Sequence, residues 1–209
     1  MYFIKESNYI YRLKVPFNEI YTSVFLIKND NYFILVDCAT TQLDVDEYII
    51  PALTKILPSK DALKYVVITH NHADHAGGLS GLLEIYPQLK VVRKAQFVSE
   101  NIQIYEMFGH TTDCIGVLDL RDGVLISGDG LQGYGVGKYR CYLEDKNEYL
   151  KTLEKIKKDK RIANILFAHE YEPWFKDSIL GRMRVEKCLQ DCLDCILKGE
   201  TENESNCNK

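Results

Sequence analysis

Along the chain, short runs rich in Val, Ile, Phe and Tyr alternate with segments whose apolar residues recur every three or four positions. Runs of the first kind suit strands, where β-branched and aromatic side chains fill a pleated, half-buried surface. They predict strands over Tyr21–Lys28, Tyr32–Val36, Tyr65–Thr69, Lys90–Arg93, Ile102–Phe108, Ile115–Leu120, Val124–Ser127 and Asn164–Ala168, with Asn29-Asp30-Asn31 as a hairpin turn between the first two. The second pattern predicts helices over Val45–Leu57, Leu79–Tyr86, Lys146–Lys158 and Gly181–Lys198. Strands first, then strands and helices mixed, fit sheets packed by helices, an α/β or α+β layered domain. Neither a linker nor a repeat breaks the pattern, so residues 1–198 read as one domain and the polar residues 199–209 as a disordered tail.

Composition alters this picture little. At 209 residues, 46% hydrophobic and 27% charged, the chain has the make-up of an ordinary globular protein with a real core. A formal net charge of −4 argues against a nucleic-acid binder, which would present a basic face. The one basic run, Lys155 to Arg161, is broken by Asp159 and reads as the solvated end of a helix. Since the N-terminal residues lack a signal-like apolar stretch and no segment approaches the roughly 18 apolar residues of a membrane span, a cytoplasmic protein without a membrane partner is expected. Seven scattered cysteines fit a reduced chain. Three of them, Cys188, Cys192 and Cys195, share a helical stripe with Val185, Leu189 and Ile196, which predicts core packing rather than a thiolate metal site.

The histidines are the unusual feature. Of five, His70, His72 and His75 fall within ITHNHADHAGG (Ile68 to Gly78), around Asp74. Any one of them alone would read as a hydrogen-bonded structural residue. Together they put four metal-donor side chains into one short turn, more than six residues can easily aim at a single ion, so two centres are inferred. His110, Asp129 and His169 each follow another predicted strand and raise the donors to seven, enough for two sites sharing one carboxylate.

In FILVDCA (Phe33–Ala39), ITHNHADHAGG, FGHTTDCIG (Phe108–Gly116), ISGDGL (Ile126–Leu131) and FAHEYEP (Phe167–Pro173), the sequence resembles the metallo-β-lactamase superfamily. The resemblance implies a four-layer αββα sandwich. It places His70, His72 and His110 on a first metal, Asp74, His75 and His169 on a second, and Asp129 between them, with Asp37 supporting the site. Two divalent ions about 3.5–4 Å apart lower the pKa of a water between them, giving hydroxide near neutral pH, which implies hydrolysis. Zinc suits imidazole and carboxylate donors, with iron or manganese as alternatives. Asp74 is expected to act in catalysis as well as in metal binding.

Having both His75 and Asp129, the chain looks more like the thioesterase, lactonase and phosphodiesterase branches than the true β-lactamases. FAHEYEP resembles hydroxyacylglutathione hydrolases, but about forty residues follow His169, too few for their C-terminal glutathione-binding region. The expected partner is therefore a small-molecule substrate with an ester-type bond. A mononuclear iron enzyme of the sulfur dioxygenase type is the alternative. In Leu131–Tyr142 (LQGYGVGKYRCY), Tyr134, Tyr139 and Arg140 are the candidate substrate-facing residues, against the alternative that they pack the loop on the core. Oligomeric state is not legible in the sequence.

Overall fold

The computed structural model describes residues 1–133, 141–171, 175–199 and 201–202. The chain divides into two compact units, Met1–Arg93 and Lys94–Lys209, of mixed α and β structure. Among the described residues no helix is long and apolar enough to cross a membrane.

The first unit is built on a six-stranded sheet in sequence order: β1 (Ile4–Lys5), β2 (Ile10–Phe17), β3 (Ile20–Asn29), β4 (Tyr32–Val36), β5 (Leu63–Val67) and β6 (Lys90–Val92). Pairing is antiparallel from β1 to β4 and parallel from β4 to β6, so β4, β5 and β6 end on the same edge. Leu13, Val24, Leu26 and Leu35 from the sheet pack with Val45, Ile49, Leu53 and Leu82 from the helical segments. Strand β2 falls outside the sequence expectation because Arg12 and Lys14 interrupt its apolar run and Pro16 demotes it. It nevertheless pairs with β3 from Ile10↔Ile27 to Phe17↔Ile20. Arg12 is buried there, its Nε 2.9 Å from Glu6 and its guanidinium 5.0 Å from the centre of the Phe25 ring.

The first helix also starts earlier than its apolar pattern suggests. Thr41 and Asp44 form a reciprocal capping box, which begins α1 (Gln42–Asp44). A π-helical segment, Val45–Ile49, then leads into α2 (Ile50–Thr54), which has Pro51 in its first turn. Proline has no N–H and crowds the carbonyl four residues back, so the wider turn before it accommodates the ring. Short helices α3 (Ala73–Ala76) and α4 (Leu79–Ile85) follow β5.

The second unit has a five-stranded sheet ordered β12-β11-β9-β8-β7, from β7 (Ile102–Glu106), β8 (Ile115–Asp119), β9 (Val124–Ile126), β11 (Asn164–Leu166) and β12 (Ser178–Leu180). Strands β9 and β11 are parallel neighbours in register Asn164↔Val124 to Leu166↔Ile126. Helix α5 (Lys146–Lys158) starts where Asp145 accepts from the N–H groups of Asn147 and Glu148. It buries Tyr149, Leu153 and Ile156. Helix α6 (Arg182–Leu197) buries Val185, Cys188, Leu189, Cys192 and Cys195, so these cysteines do lie in the core. The Sγ atoms of Cys188 and Cys192 both donate to the Gln132 carbonyl, at 3.5 and 3.6 Å. A two-residue parallel pair joins β10 (Cys141–Tyr142) to β13 (Thr201–Glu202) at the start of the polar C-terminal segment.

Candidate metal centre

In the first unit, strand β5 delivers the chain to the donor turn. Its parallel neighbour β4 ends at Val36, followed by Asp37. Asp37 is 1% exposed and holds a left-handed φ of 63°, a conformation in which aspartate is tolerated better than most residues. Its Oδ1 accepts from the Thr69 N–H (2.8 Å); its Oδ2 accepts from Thr69 Oγ1 (2.9 Å) and lies 2.7 Å from His75 Nδ1. A neutral His75 donating Nδ1–H to this carboxylate keeps its Nε2 lone pair for another partner, the tautomer a metal ligand requires. Thr69 Oγ1, its proton given to Asp37, is left as an acceptor 3.2 Å from His70 Nδ1.

The turn then folds back. The His70 ring lies between its neighbours, edge-on to His72 at a centroid distance of 4.5 Å and tilted to His75 at 4.2 Å. Donor atoms of His70 and His72 lie within 4.8 Å of each other, as do those of Asp74 and His75. Asp74 Oδ2 accepts from Thr22 Oγ1 on β3 at 3.0 Å and lies 3.4 Å from His75 Nε2. The His75 carbonyl accepts from both the backbone N–H of Cys38 (2.9 Å) and its Sγ (3.2 Å). Burial, then the Asp37 carboxylate, push the Cys38 thiol up against smaller pulls from His75 and Arg93, so it serves as a neutral donor. Gly77 closes the turn, since a Cβ there would stand 2.0 Å from the Thr40 carbonyl oxygen.

The second unit carries three donors. Asp129 sits in a 3₁₀ turn, Gly128–Gly130, just beyond β9, and His169 lies three residues beyond β11. Because these strands are parallel and adjacent, the two residues leave the sheet side by side. Asp129 Oδ1 is 3.2 Å from His169 Nε2, and Asp129 Oδ2 is 3.7 Å from His110 Nε2. His110 Nδ1 is 3.1 Å from the Tyr142 carbonyl, to which it donates, again leaving Nε2 as the basic nitrogen. Both donor groups therefore fit borderline divalent ions: oriented imidazoles and carboxylates, with no thiolate.

Gly109, before His110, has φ 127° and backs onto α5: a Cβ there would stand 2.4 Å from Tyr149 Cα. Gly109→Ala is expected to cost about 2–5 kcal/mol, from backbone strain and overpacking together. Urea denaturation measures it; an unchanged midpoint would mean that Tyr149 yields without cost.

Each donor expected from the sequence thus lies beside at least one other in its own unit. Tyr134, Tyr139 and Arg140 lie outside the described residues. Sequence reasoning missed Thr22, for which no local signal exists, and Thr69, whose only signal is its place between a strand and His70.

Comparison with known proteins decides the family. The sequence profile of the metallo-beta-lactamase superfamily matches residues 18–101. The chain is 29% identical over 164 residues to a hydroxyacylglutathione hydrolase of Actinobacillus pleuropneumoniae, covering 71% of this chain and 65% of that protein. It is 30% identical over 165 residues to a beta-lactamase-like protein 2 homolog of Caenorhabditis elegans, covering 68% and 54%. The metallo-beta-lactamase FIM-1 of Pseudomonas aeruginosa, in mono-zinc form, superposes with a TM-score of 0.71 at 17% identity, covering 92% of this chain and 95% of that one.

This chain belongs to the metallo-beta-lactamase superfamily. Its fold is the metallo-beta-lactamase fold, as the sequence motifs implied. It spans between about half and two thirds of the length of the curated superfamily members named above.

Proposed function

We propose that the protein is a metal-dependent hydrolase of an ester-type bond in a small molecule, with thioesters as the first substrate class to test. The observation that carries this reading is the Asp129 carboxylate, one oxygen facing His110 Nε2 and the other His169 Nε2, the disposition of a shared ligand. On this reading His70, His72 and His110 would hold one ion and Asp74, His75 and His169 a second, with Asp129 as a ligand to both; zinc is the expected metal. When bound, such a pair supplies an acidified water and polarises a carbonyl or phosphoryl oxygen. The likeness to hydroxyacylglutathione hydrolases supports the choice of thioesters.

The chain's own groups supply position and proton handling. Asp37 fixes the His75 ring, and the Tyr142 carbonyl fixes His110. Thr22 holds Asp74 by one oxygen, aiming a carboxylate that can accept a proton from the attacking water or orient it. Asp74→Asn keeps the shape and an acceptor for Thr22 but loses the basic charge. Turnover is expected to fall by about 100-fold or more beyond any loss of metal. Activity that tracks metal occupancy would leave Asp74 as a ligand only.

The reading is tested by assaying metal-loaded and chelator-treated protein on thioesters, lactones, β-lactams and phosphodiesters, alongside elemental analysis. Chelator-sensitive hydrolysis with two ions per chain is expected. One iron per chain, with oxygen consumption and no hydrolysis, would overturn it.

A further inference from the structure

Arg93 stands one strand away from the donor turn. Strand β6 ends at Val92, whose carbonyl accepts from the Ile68 N–H at 3.1 Å, so Arg93 leaves the sheet on the same edge as His70. Its Nη1 donates to the Asn71 side-chain carbonyl, and Asn71 lies between His70 and His72. The guanidinium is thereby aimed at the turn rather than left to sweep through solvent, and its charge is felt at the Cys38 thiol, which donates to the His75 carbonyl.

Its partner is the unusual part. Arg12, Arg121, Arg161 and Arg182 are each paired with a carboxylate, those of Glu6, Asp119, Asp159 and Glu186, while Arg184, exposed on α6 in the second unit, has no such pair among the described residues. Arg93 is exposed, is held by a neutral amide, and has no carboxylate partner among the described residues. A guanidinium carries five N–H donors in a planar fork, and one bond to Asn71 leaves a face for a second, anionic group. An arginine serving only to brace the turn would gain more from a carboxylate than from an amide.

We propose that Arg93 is a specificity-determining residue: it recognises a carboxylate or phosphate borne by the substrate away from the bond that is cleaved, making the substrate class anionic. Asn71 acts through it as a positioning residue. The substrate assignment rests on the hydrolase reading; the anion site itself does not.

The test uses two thioesters matched except for charge, S-acetyl-3-mercaptopropionate and S-acetyl-3-mercaptopropionamide, with metal-loaded protein. The native protein is expected to favour the carboxylate in kcat/KM. Arg93→Ala should lower the carboxylate-to-amide ratio by roughly 10- to 100-fold, the range of one lost charge-assisted contact. Arg93→Lys, keeping charge without the fork, should fall between. Metal content, read by elemental analysis, should match the native value. A second readout needs no turnover: the Nε–H resonance of Arg93, identified by its loss in Arg93→Ala, should shift with glutarate and not with glutaramide. Equal losses on both thioesters would make Arg93 a brace of the turn and overturn the proposal, as would a native ratio near one with an unmoved resonance. A resonance that responds to glutarate while neither thioester is cleaved keeps the anion site and overturns the hydrolase reading instead.

Discussion

Asp129→Ala is expected to take more than one metal ion from each chain, because the same carboxylate lies 3.7 Å from His110 Nε2 and 3.2 Å from His169 Nε2. Substituting an outer partner of a metal ligand commonly costs 10- to 100-fold in affinity or activity, so loss of a shared ligand should reduce kcat/KM by more than about 100-fold. Elemental analysis beside the rate separates the possibilities. If one ion is lost and its neighbour stays bound with native affinity, Asp129 serves a single site. Two ions retained with activity intact would remove it from the metal centre.

The second large effect is expected at Asp37. Its carboxylate satisfies the Thr69 amide, the Thr69 hydroxyl and the His75 Nδ1–H, all buried. Asp37→Ala leaves the three without their acceptor, each costing about 1–3 kcal/mol, so a loss of about 3 kcal/mol or more is expected in urea denaturation of metal-free protein. Metal affinity should fall as well, by roughly 10- to 100-fold, since the His75 ring loses its orienting partner. Asp37→Asn tolerates the φ of 63° and keeps one acceptor oxygen, but turns an amide N–H₂ toward a donor, so it should recover only part of the loss. Native stability and affinity in both variants would show that water takes over the role of the carboxylate.

Much of this was legible in the sequence because the relevant signals are local. Strand Tyr32–Val36 and helix Lys146–Lys158 have the bounds their side-chain patterns predict. His70, Asp129 and His169 do follow strand ends, as expected of donors gathered at a sheet edge. What escaped is non-local or conditional. Strand β2 is invisible to periodicity because a buried Arg12 finds its partners elsewhere, Glu6 in the loop before it and Phe25 on the neighbouring strand β3. Thr22 reaches Asp74 across 52 positions of sequence, a distance no motif spans. The π-helical segment before Pro51 displaces the first helix from its apolar register, and nothing in the pattern announces its width. The left-handed backbone at Asp37 belongs to the fold, since Asp occurs in every region of conformational space that is open to it.

The parallel pairing of β9 with β11 has a consequence for how such a chain can diversify. Register holds Asp129 and His169 to neighbouring strand ends, while the polypeptide between them departs from one strand and returns to the other. Within that excursion, the first described contact with a donor is made by the Tyr142 carbonyl on His110. The spacing of Asp129 and His169 is thus set by strand pairing and not by the length of chain that runs between them. Changes elsewhere in that excursion can therefore accumulate while Asp129 and His169 stay where the paired strands put them.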